Sequence, residues 1–346
     1  MRKVGSLVVR ALVALALAAT GAWSALALLL GPPDAPFFAA LLAATGAAAA
    51  LSVLVRSRPR LTLWTSALFA VALAAFAVRW SAVEPSNDRD WQNDVAVLTT
   101  ADIDGDRVTI HNIRDLEYRS ETDYTPRYYD KTFDLRELDS ADLIASYWMG
   151  DAIAHIFVSF GFAGKDYLAI SIETRKEKGE EYSTVAGFFR QYEILDVVAD
   201  ERDLIGVRTN IRNNPPEDVY LYRTRTPPDR VRRLFLDYLR EINALAAHPE
   251  FYNTATTNCT TGILAHSHVN TTANRYSWKI ALSGYAPLYV YEKGGLDDSM
   301  PFEELRRRSR INEAARAGGL GGGFSQRIRA GVPDPRDGAV AVRALP

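Results

Sequence analysis

Three stretches near the start of the chain leave little freedom in how it can fold. Ala11 to Leu30 carries no charged residue over 20 positions, residues 35–55 repeat this over 21, and residues 61–78 over 18. At about 1.5 Å of rise per helical residue, each reaches across a hydrocarbon core ~30 Å thick. Lipid offers backbone amides no partner, so each stretch is expected to be a membrane-spanning helix, at about 11–30, 35–55 and 61–78. A cleavable signal peptide competes for the first, because Arg2, Lys3 and Arg10 form a basic leader. Its apolar run exceeds the ~7–15 residues of a signal core, and Gly31-Pro32-Pro33 and a second span follow it, which argues for a retained anchor. Arg2, Lys3 and Arg10 precede the first span, the loop GPPDAP has no Lys or Arg, and Arg56, Arg58 and Arg60 separate the second span from the third. The positive-inside rule then puts the N-terminus in the cytoplasm and everything after Val83 outside, in the periplasm of an inner-membrane protein.

Composition narrows the partners. A net charge of −2, from 40 Lys and Arg against 42 Asp and Glu, gives no reason to invoke nucleic acid. The arginines at 230, 232, 233 and 306–308 read as solvated helix faces. A single cysteine in 346 residues excludes an intramolecular disulfide. In an oxidising compartment such a thiol is either buried and inert or chemically employed.

Residues 1–83 are read as the anchor and 84–110 as a polar linker with a first hairpin, its turn at Asp104-Gly105-Asp106. DIDGD resembles part of a calcium loop but lacks the loop spacing and the closing glutamate. HIFVSFGF (155–162) and YLAISIE (167–173) predict a hairpin at the heart of a sheet, with further strands near Tyr192–Val198 and Val219–Tyr222. PPDRVRRLFLDYLREINAL places Val231, Leu234, Phe235, Tyr238, Leu239 and Ile242 at helical spacing. A second helix is expected to begin at Cys259, and PFEELRRRSRINEAARAG to form a further one on the surface. The Gly318–Gly323 run reads as a flexible connection, and residues 332–346 as a flexible tail. The expectation is an α+β outer domain over 111–331 around a central antiparallel sheet.

Cys259 sits in NCTTGILAHSH, where Asn258 or Thr257 can cap a helix and leave the sulfur in its first turn. Free amides and the helix dipole there favour a thiolate, and the N–H of Cys259 itself points where a tetrahedral intermediate would place its oxyanion. The competing reading is a buried cysteine packing as a small hydrophobe. Among five histidines, His155 alone opens a strongly apolar strand. His111 lies in an early strand, His248 precedes Pro249, and His266 and His268 fall late in the cysteine's own helix. A strand histidine facing a helix-start cysteine can take the thiol proton and return one to a leaving group, although a lone strand histidine is also a common structural residue. Glu173 is the candidate orienting group, with Ser171 and Ser159 behind it. A loop of three or five residues between the two strands sets Glu173 on the face of His155, and one of two or four sends it to the other. The alternative for Glu173 is a strand-end ion pair with Arg175. No metal-ligand spacing occurs, and no cofactor is called for.

HNIRDLEYRSETDYTPRYYDKTFDL, AHIFVSFGF, AISIETRKEKGEEYS, VVADERDLIGVRTNIR and FYNTATTNCTT resemble successive blocks of the Lnb N-terminal periplasmic domain family, in order from about His111 to about His268. The resemblance implies a circularly permuted papain-like thiol domain, akin to NlpC-like and lecithin retinol acyltransferase-like proteins, in which histidine precedes cysteine. A member of the family is a lipoprotein N-acyltransferase, which carries an acyl chain from phospholipid through a thioester to an amino group. The charges in ETRKEKGEEYS and ADERDLIGVRTNIR were paired as Glu173 with Arg175 and Glu201 with Arg202 and Arg208, to hold strands or grip a phosphate.

The sequence reading is thus an anchored thiol acyltransferase or hydrolase, with Cys259 as nucleophile, His155 as base and acid, and Glu173 as orienter. The bilayer and phospholipid or lipoprotein acyl groups are the expected partners. Amide hydrolysis of cell-wall peptides and a non-catalytic, membrane-anchored binding module are the alternatives.

Overall fold

The computed structural model of the chain describes residues 2–31, 35–55 and 58–336. Pro32 to Asp34 of the first loop, Arg56 in the second, and residues 337–346 of the expected tail lie outside them. The apolar stretches form α1 (Arg2–Leu30), α2 (Pro36–Leu54) and α3 (Pro59–Ser81), each long and apolar enough to cross a membrane. Both α2 and α3 open on proline, whose missing N–H costs nothing in a first turn. Where α1 meets α2 two glycines face each other: a Cβ on Gly46 would stand 3.0 Å from the Cα of Gly21. Small residues allow that backbone approach where the solvent offers no hydrophobic drive.

The chain divides into two compact units. One comprises Met1–Ser86 with Glu181–Glu193 and Phe251–Thr254, and the other Asn87–Glu180, Ile194–Glu250 and Ala255–Pro346. In the first, an apolar cluster joins Ala27, Leu28, Ala39, Leu42, Phe69 and Phe76 of the helices to Phe189.

The second unit is built on a sheet. Its strands are β1 (Thr100–Asp104), β2 (Arg107–Arg114), β3 (Glu117–Tyr118), β4 (Tyr124–Thr125), β5 (Tyr128–Asp134), β6 (Leu138–Tyr147), β7 (Ala154–Phe162), β8 (Asp166–Arg175), β9 (Glu193–Ala199) and β10 (Asp218–Arg223). The main sheet runs β1-β2-β9-β8-β7-β6-β10, with β5 also paired to β2, while β3 and β4 form a separate pair. It is mostly antiparallel, with a parallel step between β2 and β9. The helices are α4 (Glu201–Gly206), α5 (Pro228–Ala247), α6 (Cys259–Ser267), α7 (Trp278–Ala281), α8 (Ala286–Glu292), α9 (Phe302–Arg308), α10 (Asn312–Ala317) and α11 (Phe324–Arg329). This is the expected α+β class.

Strand alternation sorts the core into two layers. Phe160 and Phe162 of β7 meet Phe235 of α5 at ring distances of 4.9 and 5.6 Å. On the other face, Phe157, Ala169, Leu195 and Val197 pack with Leu204, Ile205, Ile311, Ala315, Phe324 and Ile328. The β7–β8 hairpin lies inside the sheet, and its loop is residues 163–165, with Ala163 and Gly164 at φ 50° and 66°. The register runs from Phe162↔Asp166 to Val158↔Ile170. Continued to the strand ends, it sets Glu173 opposite His155.

Three segments differ from the sequence expectation. PFEELRRRSRINEAARAG is two helices, α9 and α10, because Leu221 donates its N–H to Ser309 and Ile311 donates to Val219, which draws the intervening residues onto β10. It is not merely a surface element, since Leu305, Ile311 and Ala315 are buried. The glycine run ends in a left-handed Gly323 that starts α11, and Asp334 beyond it pairs with Arg223 at 3.2 Å. Strand β6 had no counterpart in the expectation, because Asp139, Ser140, Asp142 and Ser146 interrupt its apolar pattern.

Ser140, Asp142 and Ser146 are buried with partners. Asp142 bonds Arg223 and Arg329, both at 2.9 Å, and Arg329 also makes two bonds of 2.8 and 2.7 Å to Glu201. Removing one member of such a network leaves uncompensated buried charge, at about 3–5 kcal/mol. Arg329→Ala is therefore expected to lower the thermal unfolding midpoint of the sheet-built unit in detergent far more than Arg308→Ala, a half-exposed surface control. Equal midpoints for the two variants would mean the network contributes nothing.

Candidate thiol site

Helix α6 starts where the sequence places it. Asn258 is the N-cap, its side chain accepting from the amides of Thr260 and Thr261 at 3.0 Å each. Thr261 Oγ1 accepts in turn from the Asn258 N–H at 2.9 Å, which closes a capping box. The Gly262 amide goes to the Asn258 carbonyl at 2.8 Å. The cap thus consumes the amides of Thr260, Thr261 and Gly262, and leaves that of Cys259 without an acceptor among the described residues. Gly262 also lets the helix press on β8, since a Cβ there would collide with Ile172.

His155 stands at the start of β7 and meets this helix. The Cys259 thiol lies beside the His155 ring and the N–H of Ile156, near enough for both to act on its ionisation. The Nε2 atom of His155 lies 2.6 Å from Ser171 Oγ and 3.0 Å from Glu173 Oε1, and Ser171 donates to Glu173 at 2.8 Å. Ser171 lies between the ring and Glu173, and not behind the carboxylate. Ser159 belongs elsewhere, donating to Glu201 in the buried charge network.

The cation beside Glu173 is Arg208, at 3.1 Å, and not Arg175. Arg175 instead reaches the carbonyls of Val95 and Ala96 at 2.9 Å each and stacks over Trp91. Glu201 is likewise paired with Arg329, and Arg202 with Asp115, so neither expected pairing of Glu201 occurs. Arg208 arrives because α4 is fixed at its first turn: Asp200 caps it, Glu201 holds Arg329, and Asp203 takes Arg114 at 3.0 and 2.8 Å. A π-helical turn, Val207–Ile211, follows and swings the guanidinium over the Phe157 ring toward Glu173. Such turns are frequent at functional sites.

Electrostatics favour an ion pair. Burial works against a charged His155, but the Glu173 charge, the bond the ring donates to Glu173 and the neighbouring Cys259 outweigh it and raise its pKa to about 9. Burial likewise pushes the Cys259 thiol up, and the bond and charge of His155 with the Ile156 amide bring it below its usual value. Glu173 is held well below the carboxylate range despite burial, by His155, Arg208 and Ser171. The charged ring and the thiolate therefore favour one another, and the Glu173 carboxylate favours the charged ring.

The other histidines have separate duties. His111 bonds Asp130 and Asp102 at 2.8 and 3.1 Å on the first hairpin, and His248 closes α5. His266 bonds Asp237 at 2.9 Å and stacks on Tyr238, while His268 bonds the Asn274 carbonyl at 2.8 Å.

Residues 124–289 match the family model of the Lnb N-terminal periplasmic domain. No curated protein and no solved structure gives a match. The matched Lnb segment runs from β4 into α8 and holds His155, Ser171, Glu173, Arg208 and Cys259, while the three long helices and α9 to α11 lie outside it. The chain therefore joins helices able to span a membrane to a segment that matches the Lnb N-terminal periplasmic domain model.

Two variants test how the site is held. Asn258→Ala removes a cap worth ~1 kcal/mol and frees two amides, and is expected to slow Cys259 alkylation by iodoacetamide at neutral pH without abolishing it. Glu173→Gln takes away the charge that raises His155. The thiolate–imidazolium window spans the depressed thiol pKa to the raised imidazole pKa. Its alkaline limit should then move to lower pH, read from the pH dependence of alkylation, and an unchanged limit would deny Glu173 its positioning role.

Proposed function

We propose that the protein is a membrane-anchored periplasmic thiol acyltransferase or hydrolase. The observation that carries this reading is the approach of Cys259, at the head of a capped helix, to a strand histidine whose Nε2 is held by Ser171 and Glu173. A helix-start cysteine that follows a strand histidine in the chain is the order of a permuted papain-like site. The Lnb match supports the same reading.

The chemistry follows from the pair. The Cys259 thiolate attacks an acyl carbonyl, and the oxygen's developing charge meets the unclaimed Cys259 N–H. As the carbon–oxygen bond of an ester breaks, the His155 imidazolium gives its proton to the departing alkoxide, leaving a thioester and a neutral ring. An amine or water then attacks the thioester, the ring accepts its proton, and the thiolate is released as the imidazolium re-forms. Glu173 and Arg208 keep the ring oriented through both steps.

The distribution of Lys and Arg around the spans supports a cytoplasmic N-terminus and a periplasmic domain. Anchoring supports an acyl donor that itself resides in the bilayer, since tethering raises its effective concentration. Phospholipid or lipoprotein acyl groups are accordingly the proposed substrates.

The test is labelling of Cys259 in native membranes by a lipid-mimetic electrophile, comparing the wild type with His155→Ala. Rapid, pH-dependent labelling of the wild type and a loss of at least ~10²-fold in the variant are expected, the usual size of a general base's contribution. Equal and slow labelling of both would leave a binding module. Selective reaction with peptidic rather than lipidic electrophiles would move the substrate class to cell-wall peptides.

A further inference from the structure

The segment Glu181–Glu193 groups with the three long helices, and Phe189 and Arg190 meet them at one end. Phe189 joins the apolar cluster with Ala27 and Leu28 near the end of α1, Ala35 and Ala39 at the start of α2, and Phe76 near the end of α3. Its ring lies 6.0 Å from that of Trp23. Arg190 caps α3, donating to the carbonyls of Trp80 and Val83 at 3.0 and 3.3 Å, with its guanidinium 5.0 Å from the Trp80 ring. The up-down-up course of the helices makes this the end from which the chain leaves α3. Trp23, Phe76 and Trp80 form an aromatic group there, of the kind that sits at a bilayer's headgroup level.

On the same short segment Tyr182, Val185 and Phe188 are 48%, 53% and 43% exposed. Large apolar side chains held open beside the mouth of a membrane bundle have one solvent that suits them. We propose that the turn around residues 182–188 is immersed in the headgroup and upper acyl layer of the leaflet at this end, as an extension of the anchor surface. Its partner is the lipid surface, with Tyr182 at the polar boundary and Val185 and Phe188 among the acyl chains.

The same unit ties this turn to the chain that carries the nucleophile. Thr254 donates its N–H to the Gly187 carbonyl at 3.1 Å and its hydroxyl to Thr184 at 2.8 Å, and Tyr252 donates to the Tyr192 carbonyl at 2.9 Å. Thr254 stands five residues before Cys259 in the sequence. This inference rests on the reading of α1 to α3 as a bilayer anchor.

The experiment uses the full chain in phospholipid vesicles. Cys259→Ser removes the only cysteine, and Val71→Cys, Val185→Cys or Phe188→Cys then carries a single environment-sensitive nitrobenzoxadiazole dye. Emission is read against phospholipids bearing a nitroxide high on the acyl chain and against aqueous iodide. Dyes at 185 and 188 are expected to lose most of their emission to the nitroxide and little to iodide. Val71, in mid α3, reports on the anchor itself. Nitroxide quenching at 71, with only iodide quenching at 185 and 188, would overturn this proposal alone. Iodide quenching at all three would overturn the anchor with it. Neither result depends on whether Cys259 is catalytic.

Discussion

The imidazole of His155 is held between opposed demands, and the organisation around it follows from how they are resolved. Burial would keep the ring neutral and the Cys259 thiol protonated. The Glu173 carboxylate reverses the first tendency, and the charged ring reverses the second. Glu173 itself stays ionised because Arg208 and Ser171 stand beside it. The chain of dependence runs outward to a π-helical turn, to α4, and to the buried pairs of Glu201 with Arg329 and Asp203 with Arg114. A network that looks purely structural thereby fixes the charge that sets the ring.

Local signals carried far in this sequence where the physics is local. Asn258 or Thr257 ahead of an apolar run announces a helix start, so the beginning of α6 at Cys259 was legible although the choice of cap was not. The apolar runs of α1 to α3 needed only length and lack of charge. The β7–β8 hairpin was visible, and the face of Glu173 was reduced to a question of loop parity that residues 163–165 answer with an odd number. His155 and Cys259, more than a hundred residues apart, could be nominated by residue type and position, and the structure brings them side by side.

What was not legible depends on distant partners. Asp142 and Ser146 made β6 look like a loop, because the arginine that neutralises Asp142 is 187 residues away on α11. Glu173 was given its sequence neighbour Arg175, yet that guanidinium turns to Trp91 and the carbonyls of Val95 and Ala96. The true partner, Arg208, comes by a π-helical turn that no propensity foretells. The break between α9 and α10 likewise arises from main-chain bonds to β10 and not from any residue that stops helices. Long-range charge pairing and sheet-edge capture, rather than weak local propensity, account for these misses.

The account stands or falls on whether Cys259 and His155 share a proton. Ultraviolet difference titration of the thiolate, with Cys259→Ser as the blank, measures this without any substrate. The wild type is predicted to show thiolate absorbance appearing below the ordinary thiol pKa of ~8.5, and His155→Ala to show it only above that value, since burial then acts unopposed. Coincident curves for the two proteins would mean that the ring exerts no hold on the sulfur, and the case for a thiol enzyme would end there.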